Sequence, residues 1–188
     1  MLTIPQIPRP PEQQPHPAPT AGDPRQRLAQ LYADYAKLVA WFASRLLTRP
    51  EEVEDVVQEV FVIAASNLRD LTEPPKIRGW LKTVTLRRVG RRLRWARLRA
   101  RLGIGPAPSD AVELVAATHA SPEDRAVLRQ LFRVLGELPV EQRIAWTLRH
   151  MHEEPLETVA ELAGCSLATA KRRIAAAQQR LQRELGDD

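Results

Sequence analysis

The chain has 188 residues with 28 lysines and arginines, 23 aspartates and glutamates, and a net charge of +5. This length suffices for one large or two small domains. A single cysteine, Cys165, excludes an internal disulfide and a multi-cysteine zinc site and suits a reducing cytoplasm. No run approaches the roughly 20 apolar residues of a membrane span, so we expect a cytoplasmic protein without membrane insertion.

The first segment, residues 1–22, is predicted to be a disordered arm with polyproline character, because eight of the sixteen prolines lie within the first 24 residues. After it, apolar residues recur with helical spacing and strand alternation is absent, which predicts an all-α fold. Asp23-Pro24 is typical of a helix start, and this first helix is expected to run to about Leu47. A second helix is expected from Pro50 to about Leu68.

The second helix has two contrasting faces. Valines at the i, i+3, i+4, i+7 spacing predict a buried stripe. The opposite face repeats the same spacing with Asp55, Gln58, Glu59 and Val62. An exposed valine therefore lies among acidic side chains, and for this pattern taken alone a solvated acidic face is the simplest interpretation.

Charge is segregated along the chain. Residues 50–68 hold five acids and no lysine or arginine, whereas residues 76–101 hold eleven lysines or arginines and no acid. This separation predicts two different partners. Residues 69–76, which include Pro74-Pro75, are predicted to form a loop, and a third, basic helix with Trp80 and Trp95 follows it. Such a helix suits unpaired nucleic-acid bases and phosphates or, alternatively, an anionic membrane.

The rest of the chain predicts a linker and a second helical unit. Residues 103–121 contain GIGPAPSD and no sustained periodicity. Two helices are expected after Ser121, followed by a short helix, the turn Gly164-Cys165-Ser166 and a longer helix, which have the proportions of a helix-turn-helix. The predicted fold is therefore two small helical domains, residues 23–102 and 122–188, joined by a flexible linker, with the helix-turn-helix in the C-terminal domain.

The last helix has the features of a DNA recognition helix. Small residues allow close approach to base edges, an arginine can bond guanine in two places, and neighbouring cations can hold phosphates. The residues concerned are Ser166, Ala168, Thr169, Lys171, Arg172 and Arg173. A surface helical hairpin that never touches DNA is the alternative.

Enzymatic motifs are lacking. The chain has no G-x-S-x-G turn, Walker loop, dinucleotide glycine motif or H-E-x-x-H. His150 and His152 lie two residues apart, so on a helix they point apart and make a poor metal pair. Cys165 is expected to be a small packed residue. We therefore expect no catalytic site, no metal and no cofactor.

The motifs together resemble one family, the extracytoplasmic-function sigma factors of bacterial RNA polymerase. The resemblance covers residues 25–185 approximately. It rests on D-V-V-Q-E-V-F at 55–61, R-G-W-L at 78–81, L-G-E-L-P at 135–139 and the tract from Val159 to Arg173.

The resemblance implies a transcription initiation factor with three binding surfaces. Core RNA polymerase would bind Asp55, Gln58, Glu59 and Val62. The minus-ten promoter element would be melted and held by Lys76, Arg78, Arg87, Arg88, Arg91 and Arg92. The recognition helix would read the minus-thirty-five element, and an inhibitory anti-sigma factor is a further implied partner.

One departure and two rival functions accompany this interpretation. The family often has an Asn and an Asp where this chain has Arg87 and Arg91, which favours phosphate binding but changes the basis of minus-ten preference. The rivals are a stand-alone helix-turn-helix regulator, which needs no acidic docking face, and a membrane-surface scaffold that uses residues 76–101.

Overall fold

The computed structural model describes residues 23–104 and 121–186, and over these ranges the protein is all-α, as predicted. The predicted arm 1–22 and most of the predicted linker lie outside the described residues. Seven helices follow in chain order: α1 Pro24–Ser44, α2 Pro50–Ser66, α3 Pro74–Arg101, α4 Pro122–Glu137, α5 Val140–His150, α6 Leu156–Leu162 and α7 Leu167–Leu185. We call α1–α3 the N-terminal bundle and α4–α7 the C-terminal bundle.

Local sequence signals account for most of the helix starts. The Asp23 carboxylate accepts a hydrogen bond from the Arg25 amide at 3.1 Å, and Pro24 occupies the first helical position. Ser121 caps α4 in the same way, accepting from the Asp124 amide at 3.1 Å. Proline at a first position costs no hydrogen bond, because the first amides of a helix have no intrahelical partner.

The predicted loop over residues 69–76 is partly wrong. α3 begins at Pro74, so both prolines and Lys76 lie in its first turn. Prolines stop a helix only from its interior, where they remove a backbone bond and clash with the preceding turn. At the N-terminus of a helix, prolines fit the first positions and favour the start of the helix. Trp95, one of the two tryptophans of this helix, is 60% exposed.

The turn between α6 and α7 depends on one glycine. Gly164 has φ +60°, a left-handed conformation that favours glycine, and it terminates α6. The Cys165 amide then donates to the Ala160 carbonyl at 3.0 Å, and Ser166 caps α7 by accepting from the Thr169 amide. The sequence Gly-Cys-Ser therefore ends one helix and starts the next within three residues, as the predicted helix-turn-helix requires.

The two bundles share the larger of two buried apolar clusters. One buried cluster lies wholly in the C-terminal bundle, around Phe132 and Trp146. The larger cluster combines α1–α3 with residues of α5, α6 and α7, including Ile144 and Leu148. Gly90 of α3 lies against α5, since a Cβ there would be in van der Waals contact with the Ile144 Cδ1 at 3.4 Å. The bundles therefore meet over a buried apolar seam.

The loop between α5 and α6 inserts into this seam. His152 is fully buried and stacks on Phe42 with ring centroids 4.0 Å apart and planes within 4°, while Trp41 contacts it edge-on at 4.4 Å. Two residues further along the loop, the Glu154 carboxylate forms an ion pair with Lys82 of α3 at 2.6 Å. Between them Glu153 has φ +56°, a left-handed conformation that is uncommon for a non-glycine residue.

Polar groups complete the seam. Arg143 of α5 donates to the Leu46 carbonyl at 2.8 Å, and its burial lowers the pKa to about 10, which leaves it cationic at neutral pH. Arg97 of α3 donates to the Leu138 carbonyl at 2.6 Å, at the C-terminal end of α4. Cations favour helix C-termini because the last carbonyls there lack intrahelical donors.

We expect His152→Ala to lower the free energy of unfolding by about 2–5 kcal/mol, because a large buried side chain is lost from the seam. His150→Ala is the comparison, since His150 is exposed and its ring lies 4.9 Å from that of Trp146, and it should lower stability by about 0.5–1 kcal/mol. Urea denaturation followed by circular dichroism measures both. Equal effects of the two substitutions would show that the stacking of His152 on Phe42 contributes nothing.

Candidate functional site

The acidic face of α2 is built as the sequence predicts. Val53, Val56, Val57, Val60 and Ala64 are buried against α1 and α3, and this places the predicted face on the outside. Val62 is 69% exposed and Gln58 is exposed. Tyr32 of α1, which is 49% exposed, lies beside this helix with its ring 4.8 Å from that of Phe61. Exposed apolar side chains beside carboxylates suit a protein partner.

The two carboxylates of this face are not free. Arg92 of α3 bridges them: its Nη1 lies 3.1 Å from Asp55 Oδ2 and its Nη2 lies 2.5 Å from Glu59 Oε1. Arg88 and Arg91 approach the other Glu59 oxygen at 3.7 and 3.6 Å. We call these five side chains the α2–α3 ion cluster. The acidic and basic segments that are separate in the sequence therefore contact each other in the fold.

Burial differs within the ion cluster. The side chains of Glu59 and Arg92 are 33% and 26% exposed, whereas that of Asp55 is 57% exposed. Partial burial lowers the pKa of Arg92, but its hydrogen bonds to Glu59 and Asp55 outweigh this effect, so the pKa lies above the usual arginine value. Glu59 therefore acts as a structural partner of α3 as well as a surface group, which the sequence pattern alone did not show.

The basic residues of α3 divide among three environments. The first environment is the ion cluster, which contains Arg88, Arg91 and Arg92. Two further arginines, Arg94 and Arg97, face the C-terminal bundle, and Arg94 lies 3.9 Å from Glu141 there. Of the predicted minus-ten set, Lys76 is exposed and pairs with Glu73 at 2.6 Å, Arg78 is half-buried and Arg87 is exposed. The helix thus presents less unpaired positive charge than its sequence suggests.

The recognition surface of α7 is exposed and partly preorganised. Ala170, Ala177 and Leu181 form the buried stripe, whereas Leu167 at the start of the helix is 38% exposed. On the outer side Ala168, Lys171 and Arg172 are exposed, and Thr169 and Arg173 are half-buried. Arg172 Nη2 lies 3.3 Å from Thr169 Oγ1, which in turn lies 2.9 Å from Ser166 Oγ. This chain of hydroxyls orients the guanidinium along the outer face.

Several residues that connect the bundles carried no recognisable sequence signal. Lys82, Arg143, His152 and Glu154 are buried or half-buried in the seam, yet each belongs to a stretch that reads as polar helix surface or loop. Their pairing spans 72 residues for Lys82–Glu154 and 97 for Arg143–Leu46, and local periodicity does not reveal such contacts.

Within residues 23–104 and 121–186, no three histidine, cysteine or acidic side chains group as a metal site would require. None of the helices in these ranges is long and apolar enough to cross a bilayer.

Two family profiles match the chain and cover the two charged surfaces. Sigma-70 region 2 matches residues 31–99, which include the ion cluster, and sigma-70 region 4 matches residues 128–181, which include the helix-turn-helix. Among curated proteins, the probable RNA polymerase sigma factor RfaY of Xanthomonas campestris pv. campestris is 29% identical over 137 residues. The match covers 70% of this chain but 34% of that protein, so the chain spans about a third of the relative's length.

Two solved structures have a similar fold. The sigma factor RpoE of Bartonella quintana, in complex with the anti-sigma factor NepR, superposes with a TM-score of 0.57 at 22% identity, covering 87% of this chain and 97% of that one. CnrH, in complex with the cytosolic domain of CnrY, gives a TM-score of 0.57 at 23% identity, covering 87% and 90%. Both likenesses concern the arrangement of helices.

A double-mutant cycle on Arg92→Ala and Glu59→Ala should give a coupling energy of about 1 kcal/mol, because the pair is half-buried and belongs to a network. The exposed pair Lys76–Glu73, also 2.6 Å apart, serves as control with an expected coupling of about 0.2–0.5 kcal/mol. Chemical denaturation of the four variants in each cycle measures these values. A coupling in the cluster no larger than in the control would mean that the ion cluster does not hold α2 and α3 together.

Proposed function

Because the chain belongs to the sigma-70 family and has the two-region organisation of extracytoplasmic-function sigma factors, we propose that it binds core RNA polymerase in the cytoplasm and directs promoter recognition, melting and transcription initiation. One observation carries the proposal: each matched region coincides with one exposed, charged surface of the fold. Since sigma factors are non-enzymatic regulators, membership agrees with the expectation of no catalytic site.

The proposed core-polymerase contact is the α2 face. Gln58 and Val62 provide an exposed polar and apolar centre, and Asp55 provides an accessible carboxylate at one end. A cationic helix with one apolar side chain would complement this face in charge and shape. Glu59 contributes mostly through its field, since one of its oxygens already accepts a hydrogen bond from Arg92 and the other is ion-paired with Arg88 and Arg91.

The proposed promoter contacts are on α3 and α7. Arg87, exposed on α3, and the arginines of the ion cluster would bind minus-ten phosphates, and Arg78 and Lys76 lie nearer the start of the same helix. The α7 N-terminus would enter the major groove at the minus-thirty-five element, with Ala168 and Thr169 close to the bases and Lys171 and Arg173 on the backbone. The corresponding domains are residues 23–102 and 122–188.

An anti-sigma factor is the proposed inhibitory partner. Support comes from the two similar structures, RpoE and CnrH, each of which was solved bound to such a factor or its cytosolic domain. The rival functions have less support, because a stand-alone regulator or a membrane scaffold has no need of the region 2 surface that the family match includes.

We expect the pair Gln58→Lys and Val62→Lys to weaken binding to core polymerase about 10- to 100-fold, because two cations replace the neutral centre of the docking face. These positions lie outside the ion cluster, so helical content should be retained. Glu54→Lys is the control: it makes the same change in net charge on the same helix, at an exposed position one turn before Gln58 and about 90° around the axis from the centre of the face. Co-purification and affinity measurement with core enzyme decide the matter, and undiminished binding by the folded pair would exclude this docking surface.

We expect Arg172→Ala to cost about 1–3 kcal/mol at one promoter position and to relax specificity there, because a bidentate base contact is lost. Lys171→Ala should instead weaken all sequences alike and reduce the slope of log affinity against log salt by about one. Holoenzyme binding to minus-thirty-five variants at several salt concentrations separates the two results. If Arg172→Ala lowered only the salt slope, Arg172 would be a phosphate contact and the assignment of base reading would be wrong.

A further inference from the structure

The α2–α3 ion cluster joins two surfaces that the proposed function assigns to different partners. Its carboxylates, Asp55 and Glu59, belong to the face proposed for core polymerase. Its arginines, Arg88, Arg91 and Arg92, belong to the set proposed for promoter phosphates. In this structure each group neutralises the other, with Arg92 contacting both carboxylates.

Geometry makes these contacts compete with phosphate binding. A guanidinium binds a phosphate best through two parallel N–H groups. The Nη1 and Nη2 atoms of Arg92 already donate to Asp55 and Glu59. Arg88 and Arg91 each have one Nη nitrogen within 3.7 Å of Glu59 Oε2. The two carboxylates therefore offset part of the positive charge that the three arginines would otherwise present to DNA.

We propose, on the basis of the function above, that this ion cluster couples polymerase binding to promoter binding. In the free chain the α2 carboxylates hold the α3 arginines and weaken their binding to DNA phosphates. A cationic partner surface that pairs with Asp55 and Glu59 releases the arginines for DNA. Because linkage is reciprocal, DNA bound to the arginines also leaves the carboxylates available to the cationic partner.

The proposal is tested on the full chain without polymerase. Asp55→Asn and Glu59→Gln together remove both carboxylate charges and keep the side-chain shapes. Affinity for a fluorescently labelled mixed-sequence duplex should rise, and the slope of log affinity against log salt should become steeper by about 1–3, because each phosphate newly bound by an arginine contributes about 0.9. Fluorescence anisotropy at several salt concentrations measures the slope.

A matched control separates pairing from net charge. Glu51→Gln with Glu54→Gln removes two negative charges from the same helix, but Glu51 pairs with Arg49 and Glu54 is exposed outside the cluster. This control should change the slope by much less than the cluster variant. An equal rise in both variants would overturn the proposal, and so would an unchanged slope in the cluster variant.

A second comparison uses the arginines. Arg92→Gln should barely change the DNA salt slope in the wild-type chain, where Arg92 is already paired, but should reduce it by about one in the Asp55→Asn, Glu59→Gln background. Arg87→Gln, at an exposed position, should reduce the slope in both backgrounds. Equal effects of Arg92→Gln in the two backgrounds would refute the coupling. If the double background does not fold by circular dichroism, Asp55→Asn alone provides the milder version of the same comparison.

These outcomes are independent of polymerase docking. The anisotropy experiment contains only the chain and DNA. Core binding by the Gln58→Lys, Val62→Lys variant tests the proposed function, and its result does not enter the comparison of salt slopes. If the slope becomes steeper in the cluster variant but the chain does not bind polymerase, the ion cluster still inhibits DNA binding, and a different cationic partner would release the arginines. Docking without a slope change would retain the proposed function and remove the coupling.

Discussion

The packing of α3 between its neighbours is the constraint on which the other features of the structure depend. Its apolar residues, including Leu81 and Val89, are buried against α1 and α2, and Gly90 continues this contact onto Ile144 of α5. A helix buried on this scale has a fixed rotation about its axis. Its arginines are consequently fixed too, some towards α2 and others towards the C-terminal bundle.

This fixed rotation explains why the charges of the chain cannot be treated as independent patches. The burial of the valines of α2 turns its acidic residues outward at the edge that meets α3, where Arg92 reaches both Asp55 and Glu59. Each ion pair at a partly exposed position contributes little by itself, but several charges that share Glu59 form a network.

The seam between the bundles is held by buried polar groups that have specific partners, in contrast to the partly exposed ion cluster. His152, Arg143 and Glu154 are polar residues in a largely apolar interface, and each one is stacked on an aromatic ring, bonded to a carbonyl or paired with a cation. Buried polar groups with such partners favour one relative placement of the bundles, because any shift would leave them without a partner and cost more than lost apolar area. The arrangement leaves Val62 on α2 and Arg172 on α7 exposed.

The sequence by itself determined the helices, the two charged surfaces and the helix-turn-helix. Helical periodicity, the caps at Asp23 and Ser121 and the turn at Gly164 act over a few residues, so local pattern is enough to predict them. The pairing of Arg92 with Asp55 and Glu59 and the insertion of His152 against Phe42 were decided by tertiary structure. These features depend on which helix faces meet across tens of residues of sequence, and residue spacing along one helix contains no information about the orientation of another.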